Sequence, residues 1–264
     1  MQLAFNQFQS PEESESSASG IQTILILHGL FGSKRNWQSI ANQLSEHFQV
    51  FTLDLRNHGE SEHSGDMSYQ DMADDVFQFI SENSLKEVSV VGHSMGGKVA
   101  MQMALQHSEI IKRLVIIDIA PVKYQHGFND LIDSLNALPL DQISSRQEAD
   151  EHLQASVKPE SLRQFLLQNL RKLDTGFSWR INLNAIQSCI DELMDFPADH
   201  RHMQYQNPVL FLKGEKSDYI KHQYERKIFK TFSRALFITV EGAGHWLHTE
   251  NPDFVVCEIR KFIK

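Results

Sequence analysis

Short, nearly continuous apolar runs recur along the chain at Ile21–Leu27, Val50–Leu53, Val88–Val91, Leu114–Ile117, Val209–Leu212 and Ala235–Val240. Each is too short for a helix and rich in β-branched residues, as in strands buried on both faces. Between the first four lie stripes of helical spacing. Trp37, Ile40, Ala41 and Leu44 form one, and Met72, Val76, Phe77 and Ile80 another, opened by a capping box at Ser68 and Asp71. A third helix is predicted over Met95–His107, and a weak alternation at Leu3–Phe8 predicts an edge strand. Strands and helices alternating at this spacing predict an α/β protein with a mostly parallel, doubly wound sheet and right-handed crossovers.

The rhythm breaks after Pro121 and resumes at Pro208. A crossover needs only a dozen or more residues, so most of the segment 122–207 is surplus. Its apolar residues still fall at helical spacing: Phe128, Leu131, Ile132, Leu135 and Leu138, then Leu162, Phe165, Leu166, Asn169 and Leu170, then Leu183, Ile186 and Ile190. Ser145 and Glu148 make a second capping box. The organisation expected is a core of 1–121 and 208–264 with a helical cap of 122–207 inserted between two of its strands. A terminal helix is expected from Asn251-Pro252, with Phe254, Val255, Ile259 and Phe262 facing inward.

Composition narrows the class. A chain of 264 residues with 41% apolar and 22% charged residues can bury a sizeable core. The formal net charge of −9 argues against nucleic acid and anionic membranes as partners. Met1–Asn6 has neither a basic region nor an apolar core, and no run approaches bilayer-spanning length, so a cytoplasmic protein is expected. Cys189 and Cys257 read as free thiols. The 13 histidines are scattered, and His245-x-x-His248 lacks the glutamate of a zinc-binding helix, so neither metal nor cofactor is expected. Ser10–Gly20 reads as a solvated acidic loop.

Candidate chemistry sits at the ends of the apolar runs. Gly92-His93-Ser94-Met95-Gly96 places G-x-S-x-G between a predicted strand and a predicted helix. A serine there needs a backbone turn so tight that side chains on its flanks would collide, which the glycines avoid. Its hydroxyl is a weak nucleophile and requires a base. His245, in the glycine-flanked loop after the last run, suits that role as base and then acid. Two fixed N–H donors are needed for a developing oxyanion. The backbone of Met95, just after the serine, and of Leu30, just after His28-Gly29, are the candidates. Phe31, Trp37, Met95 and Trp246 are candidate walls of an apolar pocket, and the Asp54–Ser61 turn reads as a brace in which Arg56 pairs with carboxylates.

Quoted as they stand, H-G-L-F-G-S, D-L-R-N-H-G-E-S, G-H-S-M-G-G and G-A-G-H-W resemble the α/β-hydrolase fold over nearly the whole chain, in that fold's order. More narrowly, H-G-L-F-G-S, D-I-A-P-V and G-A-G-H-W-x-H resemble the YbfF-type bacterial esterases. The resemblance implies a serine hydrolase of carboxylic esters or acyl-CoA thioesters, working through a Ser-His-Asp triad. Asp218, in the loop after the Val209 run, occupies the fold's usual acid slot; the narrower resemblance favours Asp118 in D-I-A-P. Both keep the chain order serine, acid, histidine. The partner expected is a small ester or thioester, with Lys34, Arg35 or Lys123 as candidate contacts to coenzyme A phosphates, and the chain a monomer or weak dimer. The same groups also serve carbon–carbon hydrolysis, lactone opening and perhydrolysis, and a non-catalytic binding protein is a third class.

Overall fold

A computed structural model describes residues 1–9, 21–125, 127–197 and 203–264. The acidic loop expected at 10–20 lies outside these. The apolar runs form strands β2 (Thr23–Leu27), β3 (Gln49–Leu53), β4 (Val88–His93), β5 (Ile111–Ile117), β8 (Val209–Gly214) and β9 (Ala235–Val240), with β1 (Phe5–Phe8) at one edge. The sheet order is β1-β3-β2-β4-β5-β8-β9; β1 is antiparallel to β3 and every other pairing is parallel. The central strands are buried on both faces, and the period of two sorts their side chains between two cores. Leu25, Leu27, Val90, Leu114 and Ile116 face helices α2 (Tyr69–Glu82) and α3 (Met95–Gln106). Ile24, Ile26, Val91, Val115 and Ile117 face α1 (Gln38–Leu44), which follows a 3-10 turn at Lys34–Trp37, and the terminal helix.

Helix starts obey local chemistry. The Asp71 N–H donates to Ser68 Oγ at 3.0 Å and the Ser68 N–H returns to the Asp71 carboxylate at 3.2 Å, closing the expected capping box of α2. The second box is only half made. The Glu148 N–H donates to Ser145 Oγ, but its carboxylate accepts from Ser144 instead.

Between β5 and β8 lie α4 (Phe128–Asn136), α5 (Arg146–Leu153), α6 (Glu160–Leu167), the hairpin β6 (Leu170–Lys172) and β7 (Phe177–Trp179), and α7 (Leu183–Met194). The hairpin corrects the helical reading of Asn169 and Leu170. Helix α6 stops at Leu167, and Leu170 pairs with Trp179 across a turn where Gly176 takes φ 71°. Strands of three residues are too short to show alternation, and the turn glycine is the single local sign of them. Lys98 on α3 ties this segment to the core. Its ammonium is buried and donates to the carbonyls of Leu193, Met194 and Asp195 at the end of α7, and burial pushes its pKa down to about 7.

After β8 come α8 (His222–Thr231), then after β9 the one-turn α9 (Leu247–Glu250) and α10 (Pro252–Ile263). Pro252 takes the first turn of α10 as expected, and the buried face is Val255, Val256, Ile259 and Ile263, with Phe262, also expected inside, partly buried against the same core. Phe254, expected inside, is 36% exposed; its position lies off the stripe that the other four make at spacings of three and four. Among the described residues, no helix is long and apolar enough to cross a membrane.

Candidate active site

Parallel register brings the strand ends together. Leu27 lies beside Gly92, and His93 beside Ile117, so the residues that follow β2, β4 and β5 are neighbours at the sheet's carboxyl edge. Ser94 takes φ 51° and ψ −118°, a conformation costly for any residue with a side chain. Glycines make the turn possible. A Cβ at position 92 would lie 2.3 Å from the carbonyl oxygen of Gly96, and one at position 96 would lie 2.5 Å from the carbonyl oxygens of Leu27 and His28. Asp118 makes a similar exit from β5 at φ 51°, fully buried.

His245 joins the two. Its Nε2 is 3.1 Å from Ser94 Oγ and its Nδ1 is 2.7 Å from Asp118 Oδ2. With the Asp118 carboxylate as acceptor, Nδ1 carries the proton and Nε2 presents a lone pair to the serine hydroxyl. The same carboxylate also accepts from the Gly214 N–H at 3.1 Å and from the Ser217 hydroxyl. Asp218 stands elsewhere: its side chain is 91% exposed and pairs with Lys221 at 3.2 Å. The stretch 214–218, which carries the alternative candidate, therefore supplies two donors to Asp118, the favoured one.

Three residues that the sequence did not single out complete the setting. The Tyr219 ring stacks on the imidazole of His245 at 4.0 Å, His93 Nε2 bonds to the main-chain oxygen of His245 at 2.9 Å, and Ser217 holds Asp118. Only the G-H-S motif and the loop carrying Asp218 lay near them in the chain.

Next to Ser94 lies a cavity of about 230 Å³. Leu30, Phe31, Trp37 and Trp246 line it from the core, and Phe128, Leu131, Leu162 and Phe165 from the segment between β5 and β8. Aromatic rings meet across this boundary, Phe31 with Phe128 and Trp246 with Phe165. Met95 packs its side chain into the core rather than onto the cavity wall, while its N–H, the first of α3, has no acceptor inside the helix. A Cβ on Gly29 would approach the Ser94 Cβ to 3.2 Å, so the glycine lets the Leu30 backbone run alongside the serine. Phe31, at φ 61°, donates its N–H to His58 Nε2 at 3.2 Å and receives a bond on its carbonyl from Asn169 Nδ2 at 2.8 Å.

The Asp54–Ser61 turn is a brace. Arg56 donates to both oxygens of Asp75, at 2.6 and 2.9 Å. Lys34, at the start of the 3-10 turn before α1, is tied to this brace. It is 4% exposed and pairs with Asp54 at 2.7 Å and Glu60 at 2.8 Å, which corrects its placement at a basic pocket mouth. Arg35 is exposed and shares Glu60, and Lys123 is exposed.

A family model described as the alpha/beta hydrolase fold matches residues 22–252. The chain belongs to the α/β-hydrolase fold family. This hydrolase is 38% identical to the sn-1-specific diacylglycerol lipase of Mus musculus over 92% of its own length and 81% of that protein's. It is 31% identical to the esterase YbfF of Escherichia coli, covering 91% of this chain and 92% of the other. A solved marine microorganism esterase superposes with a TM-score of 0.91 at 37% identity, over 99% of both chains.

The hydrolase surrounds its site with buried histidines. His28 accepts from the Leu55 N–H at 3.0 Å through Nε2, as His58 does from Phe31, and each donates its Nδ1 proton to a carbonyl, of Gly29 and Arg56 respectively. A second proton would break these bonds. Burial pushes His58 and His248 down to about 3, and His28 and His93 also lie below the usual imidazole value. Unfolded, all four would protonate near pH 6.5. Their neutral burial thus favours the folded state fully above that pH, and the benefit is lost as pH falls toward 3. Melting temperature is expected to drop already between pH 6.5 and 5, above the range where carboxylates titrate, and less steeply in His58→Gln. A flat profile across that interval would contradict the assignment.

Proposed function

We propose that this carboxylesterase-type hydrolase cleaves short-chain carboxylic esters through an acyl-enzyme on Ser94. His245 Nε2 takes the hydroxyl proton as Oγ attacks the carbonyl carbon. The Leu30 and Met95 N–H groups hold the oxyanion, and His245 returns the proton to the departing alcohol. Water then repeats the sequence and frees Ser94. Asp118 orients the imidazole and stabilises its charged form. The observation that carries this reading is the His245 ring between Ser94 Oγ and the Asp118 carboxylate, beside an apolar cavity.

Cavity size bears on the substrate. About 230 Å³ is below the range of roughly 300–1,000 Å³ common for drug-sized ligands, which favours a short or medium acyl group. The segment 122–207 acts as a cap in this reading, since four of its apolar side chains close the cavity. The named relatives act on esters, which fits the reading. Acyl thioesters present the same carbonyl chemistry to Ser94 and form the second class to assay.

The test is a p-nitrophenyl ester series from acetate to palmitate, with the matching acyl-CoAs beside it. Turnover is expected to peak among the shorter esters and to fall steeply by palmitate. A peak at palmitate would overturn the size reading. Turnover confined to vinylogous diketones would replace ester hydrolysis with carbon–carbon cleavage.

A further inference from the structure

We infer that Asn169 is a positioning residue for the oxyanion hole, acting with His58 to hold the Phe31 peptide groups so that the Leu30 N–H faces Ser94. Phe31 carries a side chain yet takes φ 61°. Such a conformation persists only where the surroundings impose it. Here both of its peptide groups are held. The N–H donates to His58, which is fully buried and whose other ring nitrogen donates to the Arg56 carbonyl, so the imidazole cannot rotate freely. The carbonyl accepts from Asn169, itself 4% exposed.

These two partners come from different parts of the molecule. His58 lies in the Asp54–Ser61 turn of the core, and Asn169 follows α6 in the inserted segment, 138 residues from Phe31. The same side-chain amide also donates to the Leu166 carbonyl at 3.1 Å, which fixes its orientation just beyond the end of α6. The turn itself meets the insert again, where the Asn182 N–H donates to the Asn57 carbonyl at 2.9 Å. Loss of the Asn169 donor leaves the Phe31 carbonyl buried without its partner from the insert, and the left-handed residue is then held only through its N–H and the Gly32 N–H bond to the Gly29 carbonyl. Leu30 immediately precedes it, so its N–H turns away from the serine. The insert thereby does more than line the cavity: beside His58 and the Gly32 N–H, which donates to the Gly29 carbonyl at 2.9 Å, it adds a restraint on the turn that carries the donor.

The inference rests on Ser94 acting as the nucleophile, and its test is arranged to fail separately. Asn169→Asp keeps shape and loses the donor; Asn169→Leu removes it outright. Both would be compared with wild type for kcat and KM on p-nitrophenyl butyrate. Inhibition by a butyl trifluoromethyl ketone would be measured alongside, because its adduct with Ser94 places an oxyanion in the hole. Removing a donor typically costs ~10²–10³ in rate, and misorienting one less. The expected result is a kcat lower by about 10- to 100-fold, a Ki for the ketone raised in parallel, and KM within about twofold, with folding checked by thermal melting. A purely structural role would instead lower the melting temperature and leave kcat and Ki where they were, and that result overturns the inference. Should Asn169→Leu not fold, the isosteric Asn169→Asp gives the same reading. Wild-type turnover that survives in Ser94→Ala would sink the proposed function itself; Ser94-dependent turnover with unaltered Asn169 variants would sink this inference alone.

Discussion

Ser94→Ala is expected to lower kcat for any ester the wild type turns over by several orders of magnitude, on the order of 10⁶-fold where chemistry limits the rate. The loss follows from the proposed mechanism, in which Ser94 Oγ bonds to the acyl carbon; it stands 3.1 Å from His245 Nε2. What remains is attack by water in a site that keeps its oxyanion donors and its cavity, so KM should change little. Folding should hardly notice. Alanine fits wherever serine does at φ 51°, and the two flanking glycines that permit the turn are untouched. Labelling by a fluorophosphonate, followed by mass spectrometry, should disappear with the same substitution. Ester turnover retained within tenfold, or undiminished labelling, would mean that Ser94 is not the nucleophile.

The paired substitutions Asp118→Asn and Asp218→Asn should separate by about 10⁴-fold in kcat, because an asparagine in place of the orienting acid presents the wrong tautomer of the imidazole. Oxygen can still accept from the Gly214 N–H, which leaves the amide nitrogen where Oδ2 now accepts from His245 and Ser217. Nδ1 then becomes an acceptor, its proton moves to Nε2, and that proton points at the hydroxyl it should remove. Asp218→Asn deletes only an exposed ion pair with Lys221, an interaction worth ~0–1 kcal/mol, and should leave kcat within about twofold. The opposite ranking would transfer the acid to Asp218. Loss in both would mean that the loop holding Ser217 had been displaced.

Much of this site is legible in the chain because its chemistry is local. The serine turn needs glycines at fixed offsets, and the central strands are buried on both faces, so their apolar runs are interrupted only by small polar residues such as Thr52 and Ser89. The acid is legible only as a pair of candidates. Asp118 and Asp218 both follow a strand, and what distinguishes them is a distance to His245 across 127 residues. Lys34 fails for the same reason: nothing beside it in the chain announces Asp54 and Glu60. The β6–β7 hairpin is hidden by its three-residue strands. Helix α8 is hidden because among its ten residues only Ile228 is fully buried, too few to make a stripe. Asn169 looked like one more position on a helical face. Its role depends on the helix ending two residues earlier, which the pattern of apolar residues does not record.

The order of strands across the sheet has a consequence for when the molecule becomes competent. Ser94 and Asp118 close adjacent strands that are also near neighbours in the chain, but His245 arrives from the loop beyond β9, at the far edge, 151 residues after the serine. Such long-range contacts form late, after the chain-closure entropy of everything between them has been overcome. A refolding intermediate with the central strands paired would therefore hold Ser94 and Asp118 with no imidazole between them. Recovery of turnover would mark the docking of the last strand, lagging behind any spectroscopic signal from helices and core, and the half-built enzyme would be chemically silent while its apolar pocket was still open to the wrong acyl groups.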